Sequence, residues 1–330
     1  MNKHQFKSHT SFALGVLLAS SSVWAETLIQ DDLIGLKKIV IAARQTNYVG
    51  TFFYQSGSYI ETSRITHVLE GENEHERLEG LDGERSEVIR KNKQVWCFQG
   101  DSKLMVASRE GTRTFPALLP EQLALLQENY QISRGEEDRV AGFQAYSVIF
   151  QPRDKMRYSH KMWAHKETGL LLKAAVMDDA AKLIEQYSFT QLSIGGEIDR
   201  KWIGQHKSAT RGTIDHTMSA STLREEPHES GWGVYALPAG FKKITEMNRR
   251  FGGNSAPATQ LVYSDGLAGI SVFIEKLGDK NDIKPGLYSK GAIQIYIKVL
   301  NPNLLTVVGE VPSRTVMQVA QSVKFVGQQK

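Results

Sequence analysis

Apolar residues along this chain change their spacing several times, and each change predicts a different element. Between Thr27 and Gln45, Ile29, Leu33, Leu36, Val40 and Ala43 recur at intervals of four and three, while Gln30, Asp32, Lys37, Lys38 and Arg44 fall elsewhere. That spacing collects the apolar set on one face and predicts an amphipathic helix that needs an apolar surface to lie on. The period then drops to two. Tyr48-Val49-Gly50-Thr51-Phe52-Phe53-Tyr54 is aromatic and β-branched, so it predicts a strand closed by a turn at Gln55–Ser58. Strand-like runs follow at Tyr59–Leu69, Glu84–Arg90, Gln94–Gln99 and Lys103–Ser108, then a short helix over Pro120–Leu126. Phe143–Phe150, Arg157–His165, Leu170–Asp178 and Leu183–Ile194 continue as a meander separated by polar turns.

So few helical patterns among so many strands do not suggest βαβ units. The fold class expected is mostly β (α+β): a large, curved antiparallel sheet or unclosed β-barrel with helices packed on it. Residues 197–230 turn polar and aperiodic and predict a linker. Apolar patterning resumes at Trp232, with strands expected at Leu237–Phe241, Gln260–Tyr263, Ile270–Ile274, Ala292–Val299 and Leu304–Gly309, and a closing helix at Pro312–Val323. The expected layout is therefore a β domain over 26–196, the linker, and a smaller α+β domain over 231–330.

The first 25 residues carry a different signal. Lys3 and Lys7 precede the apolar run Phe12–Ala19, and Val23 and Ala25 stand three and one residues before a cut ahead of Glu26. This is the pattern of a cleaved export signal, and the apolar run is too short to span a bilayer, which takes about 20 residues. The mature chain is expected to be soluble and periplasmic. Cys97 is the single cysteine, so an intramolecular disulfide is impossible in spite of the permissive compartment. A net charge of +4 is compatible with an anionic partner such as an acidic peptide or a lipid phosphate, without demanding one.

Catalytic and metal signatures are missing: there is no G-x-S-x-G, no H-E-x-x-H, no phosphate-cradling glycine loop and no cysteine pair. His160 and His165, five apart in a strand, point to opposite faces. No cofactor, metal, nucleic-acid partner or enzymatic activity is expected. Aromatic residues offer a different chemistry. Phe52 and Tyr54 share one strand face, and Trp96 and Phe98 share another, so either pair can line an apolar pocket for an acyl chain or filling a core. In the second domain, Asp265 and Gly266 suit a tight turn that would hold Tyr263 and Phe273 on a rigid edge for a partner peptide.

Several strings, taken in order, resemble the RseB/MucB family of periplasmic sigma-E regulators. They are Val49–Tyr54, Asp138–Gly142, Gln151-Pro152-Arg153-Asp154 with Arg157-Tyr158, Met162-Trp163, Thr168–Lys173, Leu237–Phe241, Val262–Leu267 and Ser271–Ile274. The resemblance spans essentially the whole mature chain. It implies a lipoprotein-carrier-like N-terminal domain and a small C-terminal α+β domain. It also implies binding of the periplasmic part of a transmembrane anti-sigma factor, shielding it from regulated proteolysis. Lipid, lipopolysaccharide or lipoprotein acyl chains are the implied release signals, and a lipid or lipoprotein carrier is the alternative function. Phe143 stands where the family often has a basic residue after the equivalent of Gly142, a departure that bears on the ligand rather than on the role. Mature protein isolated from the periplasmic fraction should begin at Glu26; an intact Met1 on a membrane-embedded product would contradict the export reading.

Overall fold

The computed structural model describes residues 34–92, 94–100, 102–106, 114–203, 229–249, 257–277 and 284–327. The expected leader, the first turns of the expected first helix, and most of the expected linker lie outside the described residues. An eleven-stranded antiparallel sheet makes up the first domain. It consists of two meanders. The first runs β1 (Tyr48–Ser56), β2 (Tyr59–Glu70), β3 (Asn73–Gly80), β4 (Ser86–Lys91), β5 (Gln94–Gln99) and β6 (Ser102–Val106). The second runs β7 (Tyr130–Val140), β8 (Phe143–Pro152), β9 (Ser159–His165), β10 (Leu171–Met177) and β11 (Leu183–Ile194). They join through β1 and β11, leaving β6 and β7 as the two edges, so the sheet is unclosed.

Helix α1, residues 34–45, lies on one face of this sheet. Leu36 and Ile39 are 1% exposed and share a cluster with Ala42, Phe52, Ile65, Val148, Phe150 and Met162. Val40, expected on the apolar face, is half buried and packs against this cluster, while Leu36, Ile39 and Ala42 are buried within it. The segment 115–126 closes the same cluster with Phe115, Leu119, Leu123 and Leu126 and leads into the short helix α2 (Ala124–Asn129). The opposite face carries smaller clusters. Trp163, Ala145, Leu172 and Ala175 form one, and Val68, Ile89 and Trp202 form another.

Strands β3 and β7 were not expected from the sequence. Asn73–Gly80 is polar, and its charges are paired within the sheet: Arg77 with Glu87 and Glu76 with Arg90 across to β4, and Arg77 with Glu79 along the strand. Tyr130–Val140 is an edge strand with exposed polar residues and an irregular register between Arg134 and Glu137, so no apolar alternation marks it.

The second domain holds a six-stranded antiparallel sheet in the order β13-β14-β15-β18-β17-β16. Its strands are β13 (Lys242–Arg249), β14 (Ala258–Ser264), β15 (Gly269–Lys276), β16 (Gly286–Lys290), β17 (Ile293–Leu300) and β18 (Asn303–Gly309). Helix α3 (Ser313–Gln321) covers one face, burying Val316, Val319 and Ala320 against Leu261, Tyr263, Val272, Leu305 and Val307. A two-stranded ribbon, β12 (Trp232–Val234) with β19 (Val323–Phe325), flanks it. Leu237–Phe241, expected as a strand ending in a turn, has the turn at Ala239-Gly240 but no strand before it, and leads into β13. Replacing Leu36 by Ala should cost about 2–5 kcal/mol, the range for deleting a fully buried aliphatic side chain. Denaturant unfolding of the mature protein checks this, and a change below about 0.5 kcal/mol, the usual size for surface substitutions, would show that α1 does not hold the core.

Candidate functional site: the domain junction and its surroundings

The turn between β14 and β15 projects from the second domain into the first. Asp265, at its tip, is 1% exposed. Its Oδ1 accepts hydrogen bonds from the backbone N–H groups of Leu267 and Ala268 at 2.9 and 2.7 Å, which fold the turn on itself. Its Oδ2 accepts from Arg157 Nε at 2.5 Å and from the Tyr130 hydroxyl at 3.0 Å, both in the first domain. Arg157 donates also to Asp154 and to the carbonyl of Ala239, and its guanidinium stacks 4.9 Å from the Phe241 ring centroid. Burial works against the Arg157 charge, but the bonds to Asp265 and Asp154 outweigh it and raise its pKa. Burial, then the Asp265 charge, pushes the Tyr130 hydroxyl up as well, so the phenol stays a donor. A charge pair removed from water is strong only when its remaining valences are satisfied, and here the Asp265 carboxylate accepts four such bonds.

Nearby contacts complete the junction. Gly240 has φ +81°, and a Cβ there would fall 1.8 Å from Asn129 Oδ1, so backbone of the second domain meets α2 at a point only glycine allows. Thr315 Oγ1 donates to the Met156 carbonyl at 2.8 Å, and Arg314 pairs with Asp179 at 2.6 Å. Further along the sheet, Glu185 Oε2 accepts from Tyr54 at 2.9 Å and from the Ala292 N–H at 3.0 Å. Burial, followed by Glu185, lifts the Tyr54 pKa to about 12. His160, whose Nε2 is buried without a hydrogen-bond partner, lies behind Tyr130 at 6.4 Å. Its pKa is lowered to about 4 by burial, against the partial pull of Asp265, so this ring stays neutral while it is folded at neutral pH.

The residues singled out from sequence fall into four situations. Phe52 is 5% exposed and packs on Phe115, Phe189 and Tyr187 in the main core. Tyr54 shares that face but reaches the domain junction. Trp96 and Phe98 lie on the opposite face, packed with Ile198, Trp202 and Ile203; a shallow hollow of about 160 Å³ borders Phe98, Arg85 and Glu87. The four aromatics therefore do not converge. Tyr263, expected on an edge, is 4% exposed inside the second core, because β14 and β15 are interior strands and the edges are β13 and β16. Asp265 and Gly266, expected at an outward tip, are docked between the domains. Phe273 lies half buried on the sheet face opposite Tyr263, in register with Thr306 and, through it, Ile297.

Sequence reading missed Arg157, Tyr130 and Glu185, since nothing in a linear pattern shows that a charge will be buried by another domain. It also missed a hollow of about 280 Å³ lined by Ile34, Gly35, Lys38, Arg134, Tyr146, Val148 and Lys166. Arg134 covers the Tyr146 ring at 4.8 Å and Lys166 bonds Glu137 at 2.9 Å. Three cations around one acid and an apolar wall suit an anionic group carried on an apolar body. Among the described residues, no group of three or more His, Cys, Asp or Glu side chains is placed to hold a metal ion, and no helix is long and apolar enough to cross a membrane.

Comparison with known proteins matches residues 34–206 to the MucB/RseB N-terminal domain and residues 226–324 to the MucB/RseB C-terminal domain. The chain belongs to the MucB/RseB family. It is 31% identical to the sigma factor AlgU regulatory protein MucB of Pseudomonas aeruginosa, over 94% of this chain and 96% of that protein. It is 26% identical to the sigma-E factor regulatory protein RseB of Haemophilus influenzae, over 96% and 97% of the two chains. A crystal structure of MucB in complex with MucA(peri) superposes with a TM-score of 0.69 at 28% identity, covering 90% of this chain and all of that one. These relatives are named as regulatory proteins. Three of the strings that carry the MucB/RseB resemblance, Gln151–Tyr158, Leu237–Phe241 and Val262–Leu267, meet in the junction built on Asp265. Replacing Arg157 by Met would strand that carboxylate, at a cost of roughly 3–5 kcal/mol for a broken buried pair. Chemical denaturation should show the loss, and a stability within about 0.5 kcal/mol of the parent would mean that the pair is not sealed as described.

Proposed function

We infer that this chain is a periplasmic negative regulator of an envelope-stress sigma factor. It binds the periplasmic part of a membrane-spanning anti-sigma factor and shields that segment from the protease that begins its breakdown. The observation that carries this reading is the match to both MucB/RseB domains in order, across nearly the full length of MucB. Similarity to MucB in a structure that contains MucA(peri) supports the class of partner. Export at Glu26 and the division into 26–196, a 197–230 linker and 231–330 belong to the same proposal. A simple lipid carrier has no use for a second domain fastened by a buried ion pair, which favours regulation over transport.

The partner surface proposed is the outer face of the six-stranded sheet. Tyr296 and Leu300 of β17 pack on the α3 side, so Ile293, Ile295, Ile297 and Val299 point the other way, with Val299 38% exposed. Phe273 shares that outer face. Tyr263, Asp265 and Gly266 act on the partner indirectly, by fixing where this face is held. The basic hollow at Lys38, Arg134 and Lys166 is proposed to receive the anionic head of a lipid or lipoprotein signal.

Titration of the mature protein with the periplasmic segment of the anti-sigma factor, followed by calorimetry, tests this. Binding of the parent is expected, and Ile297→Asp should weaken it by about 2 kcal/mol or more, the scale of a central interface residue. No binding by the parent would contradict the regulatory reading. Undiminished binding by the variant would move the contact off this face.

A further inference from the structure

His160 stands one ring behind the Asp265 junction, which makes no use of it. It lies on β9 between Phe150 of β8 and Val176 of β10, on the same strand face as Met162. Its ring meets the Tyr130 ring edge-on at 6.4 Å, and the Tyr130 hydroxyl is itself bonded to Asp265 at 3.0 Å. Tyr130 therefore links the imidazole to the docked turn, residues 264–268. The Nε2 of His160 is buried and has no hydrogen-bond partner. A proton placed there would be a charged donor without an acceptor, close to a guanidinium that already carries a charge. The charged and titratable groups around this ring pair are Asp265 from the second domain, Arg157, whose guanidinium lies 5.9 Å from the Tyr130 ring centroid, and Asp154, bonded to Arg157. The strand neighbours Phe150 and Val176 are apolar. Burial, then Asp265, keeps the Tyr130 hydroxyl protonated, and the carboxylate bonds of Arg157 outweigh its burial. Neither group changes its charge in mild acid.

We propose that His160 is an acid release for the domain junction: a proton on its sheltered nitrogen and docking of the 264–268 turn exclude one another. This release depends on the junction alone and not on the regulatory reading above. Burial, against the weaker attraction of Asp265, holds His160 down at about 4 in the docked protein. Opening the junction admits water to Nε2 and returns the ring to its ordinary value of about 6.5. Well above that value the ring is neutral in both forms, and the junction keeps its full hold. As the pH falls from about 6.5 towards 4, only the open form takes up the proton, so the equilibrium moves towards opening by up to about tenfold per pH unit. Below about 4 the docked form is protonated as well and the effect levels off. From pH 7 to pH 5 the shift is roughly twentyfold. The lateral pair of Arg314 with Asp179 survives this change, because Arg314 holds the Asp179 carboxyl below its usual range. Acid thus frees the turn while the second domain stays tethered at its side.

The full mature chain is followed by amide hydrogen exchange at pH 7 and pH 5, each rate being divided by that of an unprotected amide at the same pH. In the parent, protection of the Leu267 and Ala268 amides, which Asp265 holds, is expected to fall roughly twentyfold in acid, while β14 and β15 keep theirs. His160→Phe, which cannot take a proton, and His160→Gln, which keeps a polar side chain, are expected to show no such fall. Equal protection at both pH values in the parent would overturn the release. An equal fall in a folded variant would overturn it too, since the proton would then act at another group. Should neither variant fold, NMR of carbon-13-labelled histidine in the parent carries the test. The His160 ring is expected to take up its proton below about 6.5 and in step with the loss of protection. A ring already protonated at pH 5 while the turn stays fully protected would contradict the exclusion.

Discussion

A carboxylate without access to water has to be matched by donors held in place around it, and at Asp265 two of those donors come from the other domain. Its turn satisfies one oxygen with the Leu267 and Ala268 amides, and Arg157 and Tyr130 satisfy the other. The relative placement of the domains therefore centres on one group that cannot be left half paired, with Thr315–Met156, Arg314–Asp179 and Ala292–Glu185 beside it. Everything around it conforms: Gly240 because no larger residue fits against Asn129, Phe241 because its ring backs the Arg157 guanidinium, and Leu267, half buried, because it follows Asp265 and packs against the N-terminal core. Interfaces between domains in one chain are commonly polar and allow relative motion. Here the sealed polar contacts at Asp265 stand beside the packing of Leu267 on the first core.

The fold was legible where runs of β-branched and aromatic residues mark strands, most plainly in β1 and β15, whose burial alternates along the strand, and the division into two units follows from the loss of periodicity after Ile194. It was not legible where charges are satisfied sideways. Glu76 is buried yet paired with Arg90, so β3 reads as a solvated run although it sits inside the sheet. Strand β7 lacked a pattern because an edge needs none. The outer and inner faces of β14 and β15 were also beyond reach, since alternation tells that Tyr263 and Phe273 belong to strands but not which strands are central.

The candidate site was legible in part. Asp265-Gly266 was correctly read as a tight turn, but the same residues in a free tip and in a docked tip look identical in sequence. What differs is the partner, and Arg157 lies over a hundred residues upstream. The ordered strings resembling MucB/RseB supplied what local chemistry could not. Their meaning becomes physical in the structure, because three of them assemble one junction. In this reading the family signature records how two domains are fastened, while the surfaces that meet partner and signal, at Ile295–Val299 and around Lys38, fall in less distinctive sequence.

The junction requires the 264–268 turn to be docked in solution. Amide hydrogen exchange on the free, mature, full-length protein measures this directly. The Leu267 and Ala268 amides, held by Asp265 inside the junction, should exchange as slowly as those of the flanking strands β14 and β15. Exchange of both amides at the rate of an exposed hairpin turn, while β14 and β15 stay protected, would show that the turn lies free in water and would contradict the junction on which the rest depends.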